Sequence, residues 1–181
     1  MYRIATYLVE QFWRQPPKLA DAVGVLLLTW NQAHYRYGRP DFGRFERFLR
    51  REATVLQGLR RRGISTFVPA DERPVVSLFN ASLKALEIRG PDNRARRSPV
   101  GVAKALHLLA PRFFPLWDAA IAKAYGCYYG TKPAQRYLAF MRISKAIVAS
   151  LWRTIGPLLD DKTPLKVLDE YNYAKFTKGW I

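Results

Sequence analysis

Cysteine is almost missing from this chain of 181 residues: Cys127 stands alone. One thiol cannot close an intrachain disulfide, nor supply a four-thiolate zinc or iron–sulfur site. Histidine is nearly as scarce, and His34 and His107 by themselves do not make a metal site, so no metal and no cofactor is expected. Long apolar runs are also lacking. The longest, Val23 to Leu28, is far too short to span a bilayer and leads into Asn31, Gln32 and His34. Near the start, Arg3 is followed by Glu10 and Gln11, which interrupt what would be the apolar stretch of a secretion signal. The expectation is a cytoplasmic protein with no membrane partner. Sparse Asn, Gln, Cys and Met beside plentiful Arg, Tyr and Pro point to a thermophile.

Negative charge is the most consequential shortage. Fourteen Asp and Glu face thirty Lys and Arg, a net charge of +16. Such a surface draws polyanions from a distance and repels basic partners. Hydrophobic residues nevertheless make up 49% of the chain, enough for a real core and too many for a disordered segment.

What recurs along the chain is helical spacing with helix punctuation, and strand-like alternation is largely missing. Ile4, Leu8 and Phe12 share one side of a first helix, stopped at Pro16-Pro17. Lys18 to Tyr35 reads as a central buried helix. Asp41 can cap a helix striped by Phe42, Phe45, Leu49, Ala53, Leu56 and Leu59, with Gly63 as terminator. Further helices are expected over 75–88, 100–110, 116–125, 132–155 and 163–176, with residues 89–99 as the most loop-like stretch. About eight helices with short links predict a compact, all-α, multi-helix domain over 1–181. It has room for two lobes, the terminal helices and the 100–181 region packing against 18–90 around a cleft.

Arginine concentrates in two places. Residues 36–62 hold nine arginines against Asp41, Glu46 and Glu52, and residues 89–104 hold five basic residues against Asp92 alone. Arg44, Arg47, Arg50 and Arg51 suit a solvated helix face. Arg60, Arg61 and Arg62 at a helix end, and Arg94, Arg96 and Arg97 in a loop, suit forked contacts to phosphate oxygens. A membrane surface would need bulky apolar residues exposed opposite the basic ones, and the apolar stripes are needed for the core. Nucleic acid is the expected partner.

The stretch Ser98 to Gly126 carries the candidate chemistry. A glycine-containing turn enters a helix bearing Lys104, the chain turns at Pro111 and Pro115, and Asp118 opens the next helix. This order can bring one lysine and one carboxylate to the same cleft, beside a helix N-terminus whose free N–H groups suit a phosphate. Taken singly, a lysine one turn into a helix is usually solvated, and an aspartate after Pro-Leu-Trp is often only a cap. His107, one turn after Lys104, suits either the same pocket or a hydrogen-bonded place in the core. Trp30, Trp117 and Trp152 suit the core, and one of them could stack on a base that Asn31 or Gln32 hydrogen-bonds. Tyr128, Tyr129 and Cys127 read as structural. The tail from Tyr171 to Ile181, mixing aromatics with lysines, suits packing on the body more than closing over nucleic acid.

These motifs resemble the helix-hairpin-helix DNA glycosylase superfamily. P-V-G-V-A-K, residues 99–104, occupies the place of its L-P-G-V-G-x-K turn, with Lys104 at the position of the lysine nucleophile. F-P-L-W-D-A-A-I-A-K, residues 114–123, is similar to its V-D-T-H-V-x-R stretch. Asp118 falls at the catalytic aspartate, and Ile121 and Lys123 match the hydrophobic and basic positions. Residues 26–36 look like the buried helix that ends in a polar cluster before the pocket. The turn keeps Gly101 without the paired glycines, Ala119-Ala120 replace Thr-His, and the fourteen residues from Lys104 to Asp118 are fewer than usual.

The resemblance implies a fold of that type and base excision from double-stranded, damaged or mismatched DNA by a monomer. A flipped base enters a pocket lined by Trp30, Asn31, Gln32, His107 and Trp117. Lys104 attacks the sugar C1′ and forms a Schiff base, and Asp118 stabilises the positive charge. Arg60, Arg61, Arg62, Arg94, Arg96, Arg97, Gly101 and Lys123 hold the DNA. A lysine nucleophile implies strand nicking by β-elimination. Two other classes fit the same composition: a non-catalytic nucleic-acid-binding protein on this scaffold, and a basic partner of an acidic protein.

Overall fold

A computed structural model describes residues 2–38, 40–155 and 162–181, with the side chains of 152–155 outside the description. The Trp152 side chain and Arg39 therefore lie outside the described residues. The all-α expectation holds. Ten α-helices form among the described residues: α1 (Tyr2–Gln11), α2 (Pro16–Trp30), α3 (Gln32–Tyr35), α4 (Phe42–Arg51), α5 (Ala53–Arg60), α6 (Glu72–Ala85), α7 (Pro99–Leu109), α8 (Ala119–Ala124), α9 (Pro133–Ile155) and α10 (Pro164–Asn172). None of them is long and apolar enough to cross a membrane.

Helix starts follow the sequence closely, because short polar side chains satisfy the first free N–H groups. Asp41 accepts from Arg44 N, Ser98 from Gly101 N, Asp118 from Ile121 N and Thr163 from Lys166 N. Prolines stand in the first turns of α2, α7 and α10, where no N–H is missed.

Several expected boundaries shift. The 18–35 helix breaks at Asn31, whose backbone leaves the helical region (φ −124°, ψ 34°), so one-turn α3 points elsewhere. The 42–59 stripe is divided at Glu52 into α4 and α5. That rotation exposes Ala53 and buries Phe48 in its stead. On α1, Ala5 and Val9 face inward and Ile4 points outward, because only small residues fit where α1 lies against α2. The loop-like 89–99 stretch holds a two-stranded antiparallel hairpin, β1 (Ile88–Arg89) with β2 (Ala95–Arg96), pairing Ile88 with Arg96. Residues 116–118 are extended, and α8 begins only at Ala119.

One hydrophobic cluster unites these helices, drawing Val9 from α1, Leu26 from α2, Phe45 from α4, Phe79 from α6, Leu106 from α7, Phe140 from α9 and Leu165 from α10. At its centre Trp117 stacks on Tyr137 (centroids 5.2 Å apart) and lies near Phe140 and Phe79. Tyr137 donates its hydroxyl to the Pro115 carbonyl (2.7 Å), fixing the bend before Asp118. This packed floor sets the positions of Trp117 and Asp118.

Candidate functional site

A cavity of about 450 Å³ opens where the end of α2, the middle of α7, the start of α8 and the length of α10 meet. Trp30, Lys104, Trp117 and Asp118 line it together with Lys166, Asp169, Tyr173 and Trp180. Lysine and aspartate, fourteen residues apart in sequence, thus face one space. The bend at 111–118 brings the start of α8, at Asp118, to the cavity that Lys104 of α7 also lines.

Each wall has a local cause. Trp30 lies flat against Tyr2 (centroids 5.6 Å, planes 9° apart), which leaves its other side toward Lys104, 5.9 Å from the ring centroid. Lys104 Nζ donates to the Trp30 carbonyl (2.6 Å), one of the carbonyls freed at the end of α2. Burial draws the Lys104 pKa below the ordinary lysine range, and the carboxylates of Asp118 and Asp169 pull the other way. Asp118 is held at both oxygens: Oδ1 accepts from Ile121 N (2.8 Å) and Oδ2 from the Thr177 hydroxyl (2.7 Å). It is a fixed carboxylate that caps the start of α8. Trp117 is almost wholly buried, and its indole N–H has no partner among the described residues.

The other expected pocket residues lie elsewhere. His107 is fully buried in the core, not in the cavity wall. Its Nδ1 faces the Phe114 carbonyl (2.8 Å), which can only accept, so Nδ1 carries the proton and Nε2 accepts from the Tyr2 hydroxyl (2.7 Å). Burial lowers its pKa to about 4, so it stays neutral. Asn31 donates to Ser98 Oγ (2.8 Å) and lines a separate, shallower groove, while Gln32 is exposed on α3.

Several expected DNA contacts have structural partners. Arg60 donates to the carbonyls of Leu108 and Leu109 (3.3 and 2.9 Å), closing the C-terminal end of α7, and stacks on Trp13. Arg62 grips Asp71 with two hydrogen bonds of 2.7 Å and lies over Phe113. Both guanidinium groups are engaged within the fold. The Gly101 N–H is likewise taken, by Ser98 Oγ (3.0 Å), so it does not serve a phosphate. The space beside it is close: a Cβ would stand 3.1 Å from Asn31 Nδ2 and 3.2 Å from the Tyr35 hydroxyl.

The remaining basic residues stay at the surface. Arg61 borders an open groove with Arg14 and Gln57. Lys123 is exposed and lies over the Tyr128 ring. Arg94 is exposed, with its backbone N–H on Asp92. Arg96 pairs with Asp92 and covers Tyr37, and Arg97 pairs with the buried Glu87. Arg96 and Arg97 border the second groove, of about 420 Å³, with Asn31, Tyr37, Ser98 and Tyr129. The two hollows adjoin: Trp30 precedes Asn31, and Tyr129 of the groove meets Trp117 of the cavity edge-on (5.2 Å).

Half of the cavity comes from a segment to which no site was assigned. Lys166, Asp169, Tyr173 and Thr177 follow one another at steps of three and four residues, the mark of a single helical face, with Glu170 beside Asp169 and Trp180 beyond the helix end. Lys166 sits over the Tyr2 ring and pairs with Asp169 (2.7 Å), and Lys162 pairs with Glu170 (2.7 Å). The segment 173–178 continues as a π-helical turn packed on α8, closed by Gly179 in the left-handed region (φ 64°). Among the described residues no group of three or more His, Cys, Asp and Glu side chains is placed to hold a metal ion. Comparison with protein-family models, with curated proteins and with solved structures returned no match for this chain.

Proposed function

We propose that this protein is a DNA base-excision glycosylase with associated AP-lyase activity, working through a Schiff base at Lys104. The observation that carries the reading is the convergence of Lys104 and Asp118 on one tryptophan-walled cavity next to a groove bordered by Arg96 and Arg97. An extruded nucleotide enters the cavity while its flanking phosphates remain with the basic groove. Burial favours the neutral amine that nucleophilic attack needs. Lys104 Nζ adds to the sugar C1′ as the C1′–N bond to the base breaks, and the fixed Asp118 carboxylate faces the positive charge that develops on the sugar. Loss of the 3′ phosphate from the resulting imine nicks the strand.

Borohydride trapping tests this reading. Duplexes carrying 8-oxoguanine, uracil or a G·T mismatch are incubated with the protein and reduced. A covalent protein–DNA adduct with the wild type and none with Lys104→Ala supports the lyase. Salt-sensitive binding without adduct or cleavage on any duplex leaves the second reading, a non-catalytic nucleic-acid-binding protein. That reading is favoured by the structural partners that Lys104 and Asp118 already have in the Trp30 carbonyl and the α8 N-terminus. Negligible DNA affinity even at low salt points instead to an acidic protein partner.

A further inference from the structure

Three carboxylates border the cavity, and the two whose charges act on Lys104, Asp118 and Asp169, are held differently. Asp118 has both oxygens occupied, by Ile121 N–H and by the Thr177 hydroxyl. Asp169 has one. Its Oδ2 accepts from Lys166 Nζ (2.7 Å), while Oδ1 accepts no hydrogen bond among the described residues. Asp169 stands on α10, mostly buried (16% side-chain exposure), and it lines the cavity. The neighbouring lysine is itself pinned: Lys166 is mostly buried, lies over Tyr2, and also reaches Glu170 (3.7 Å). Lys166 therefore fixes one carboxyl oxygen of a residue that lines the cavity and leaves the other without a hydrogen-bond donor among the described residues.

We infer that Asp169 is the proton donor to the departing base, a catalytic residue distinct from the Lys104 and Asp118 pair. The inference rests on the glycosylase reading above. The expulsion of a base leaves an electron pair on its nitrogen, and a proton delivered there lowers the barrier. In the step assigned here, the C1′–N bond breaks and its electron pair leaves with the base, which takes the Asp169 proton. Lys104 Nζ forms the new bond to C1′ and surrenders one of its own protons to the Asp169 carboxylate, so the acid is restored and the charges balance. Asp118 cannot fill this place, since its oxygens both accept hydrogen bonds and it sits at a helix N-terminus. Burial, with Asp118 and Glu170 nearby, raises the Asp169 pKa, and Lys166 opposes that shift by its charge and its hydrogen bond.

Asp169→Asn tests the assignment, because it keeps an oxygen for Lys166 and removes the acid. Two measurements run side by side on intact protein: release of free base from the three lesion duplexes, and borohydride trapping on a duplex that already contains an abasic site. The expected result is base release lowered about 100-fold with abasic-site trapping within about twofold of wild type. Unchanged base release overturns the inference. Equal loss of both activities also overturns it, since Asp169 would then only position Lys104, and Asp169→Glu distinguishes that case by restoring trapping without folding loss. A wild type that traps the abasic site but releases no base overturns the proton-donor role and leaves Lys104 as a lyase. A wild type with neither activity removes the glycosylase reading itself, and this inference with it.

Discussion

Single residues decide stability here, and four of them make different demands. His107 is neutral inside the core, with a pKa near 4 against an ordinary value of 6.5. The unfolded chain therefore binds more protons between those values. Its contribution is complete above pH 6.5 and is lost as pH falls toward 4, about 3 kcal/mol in all. Urea unfolding across that range should show stability falling with acidification, and the His107→Gln variant should show a flatter profile from a lower start. Gly38 is fixed by contact, not by backbone freedom. Gly38→Ala should cost about 1–3 kcal/mol, measured as a lower urea midpoint at unchanged m-value, since a Cβ there would stand 2.5 Å from the Arg89 carbonyl oxygen. Arg60 and Arg61, neighbours of the same type, should separate cleanly. Arg60→Ala removes the closing bonds to α7 and the stack on Trp13, lowering stability by about 1–3 kcal/mol. Arg61→Ala should leave stability within about 0.5 kcal/mol.

At the scale of elements, α8 has a carboxylate serving two ends. Asp118 caps the helix and faces the cavity, so its removal mixes two effects. Asp118→Asn keeps a good capping side chain and removes only the charge, whereas Asp118→Ala removes both. Thermal melts should place Asp118→Asn near wild type and Asp118→Ala lower by about 1 kcal/mol, with the trapping yield falling in both. Local rules explain why the helix starts at 41 and 163 were readable in the sequence: each is a short polar residue whose oxygen meets an N–H three residues on. The break at Asn31 and the division at Glu52 were not readable, since neither carries glycine or proline. The partners of these regions lie far away in sequence: Asn31 bonds Ser98, Gln57 of α5 accepts from Trp13, and Arg60 donates to the end of α7.

For the whole molecule, charge and site tell different stories. The sequence reading located the Lys104 and Asp118 meeting point because order and spacing survive in the fold. It overassigned arginines, because a guanidinium that closes a helix end, as Arg60 does, looks in sequence like one that waits for a phosphate. The contribution of α10 went unnoticed although its stripe from Lys166 to Thr177 was visible. Mixed charge and aromatics on one face read as packing until a second wall stands opposite. With several arginines engaged internally, the DNA footprint should be smaller than +16 implies. A plot of log K against log salt concentration should have a slope shallower than about −6, set by a few phosphates near Arg94, Arg96, Arg97 and Lys123.

Three of the five tryptophans, Trp30, Trp117 and Trp180, border the same hollow. The protein therefore carries its own optical reporter. Excited at the indole band, much of its emission arises from that one hollow, where Trp180 is exposed and Trp117 is enclosed. Titration with an abasic-site duplex should quench and shift this emission as solvent leaves the Trp180 ring, and Trp180→Phe should remove the red-emitting component. Occupancy can thus be followed in unlabelled protein, before any bond is made or broken.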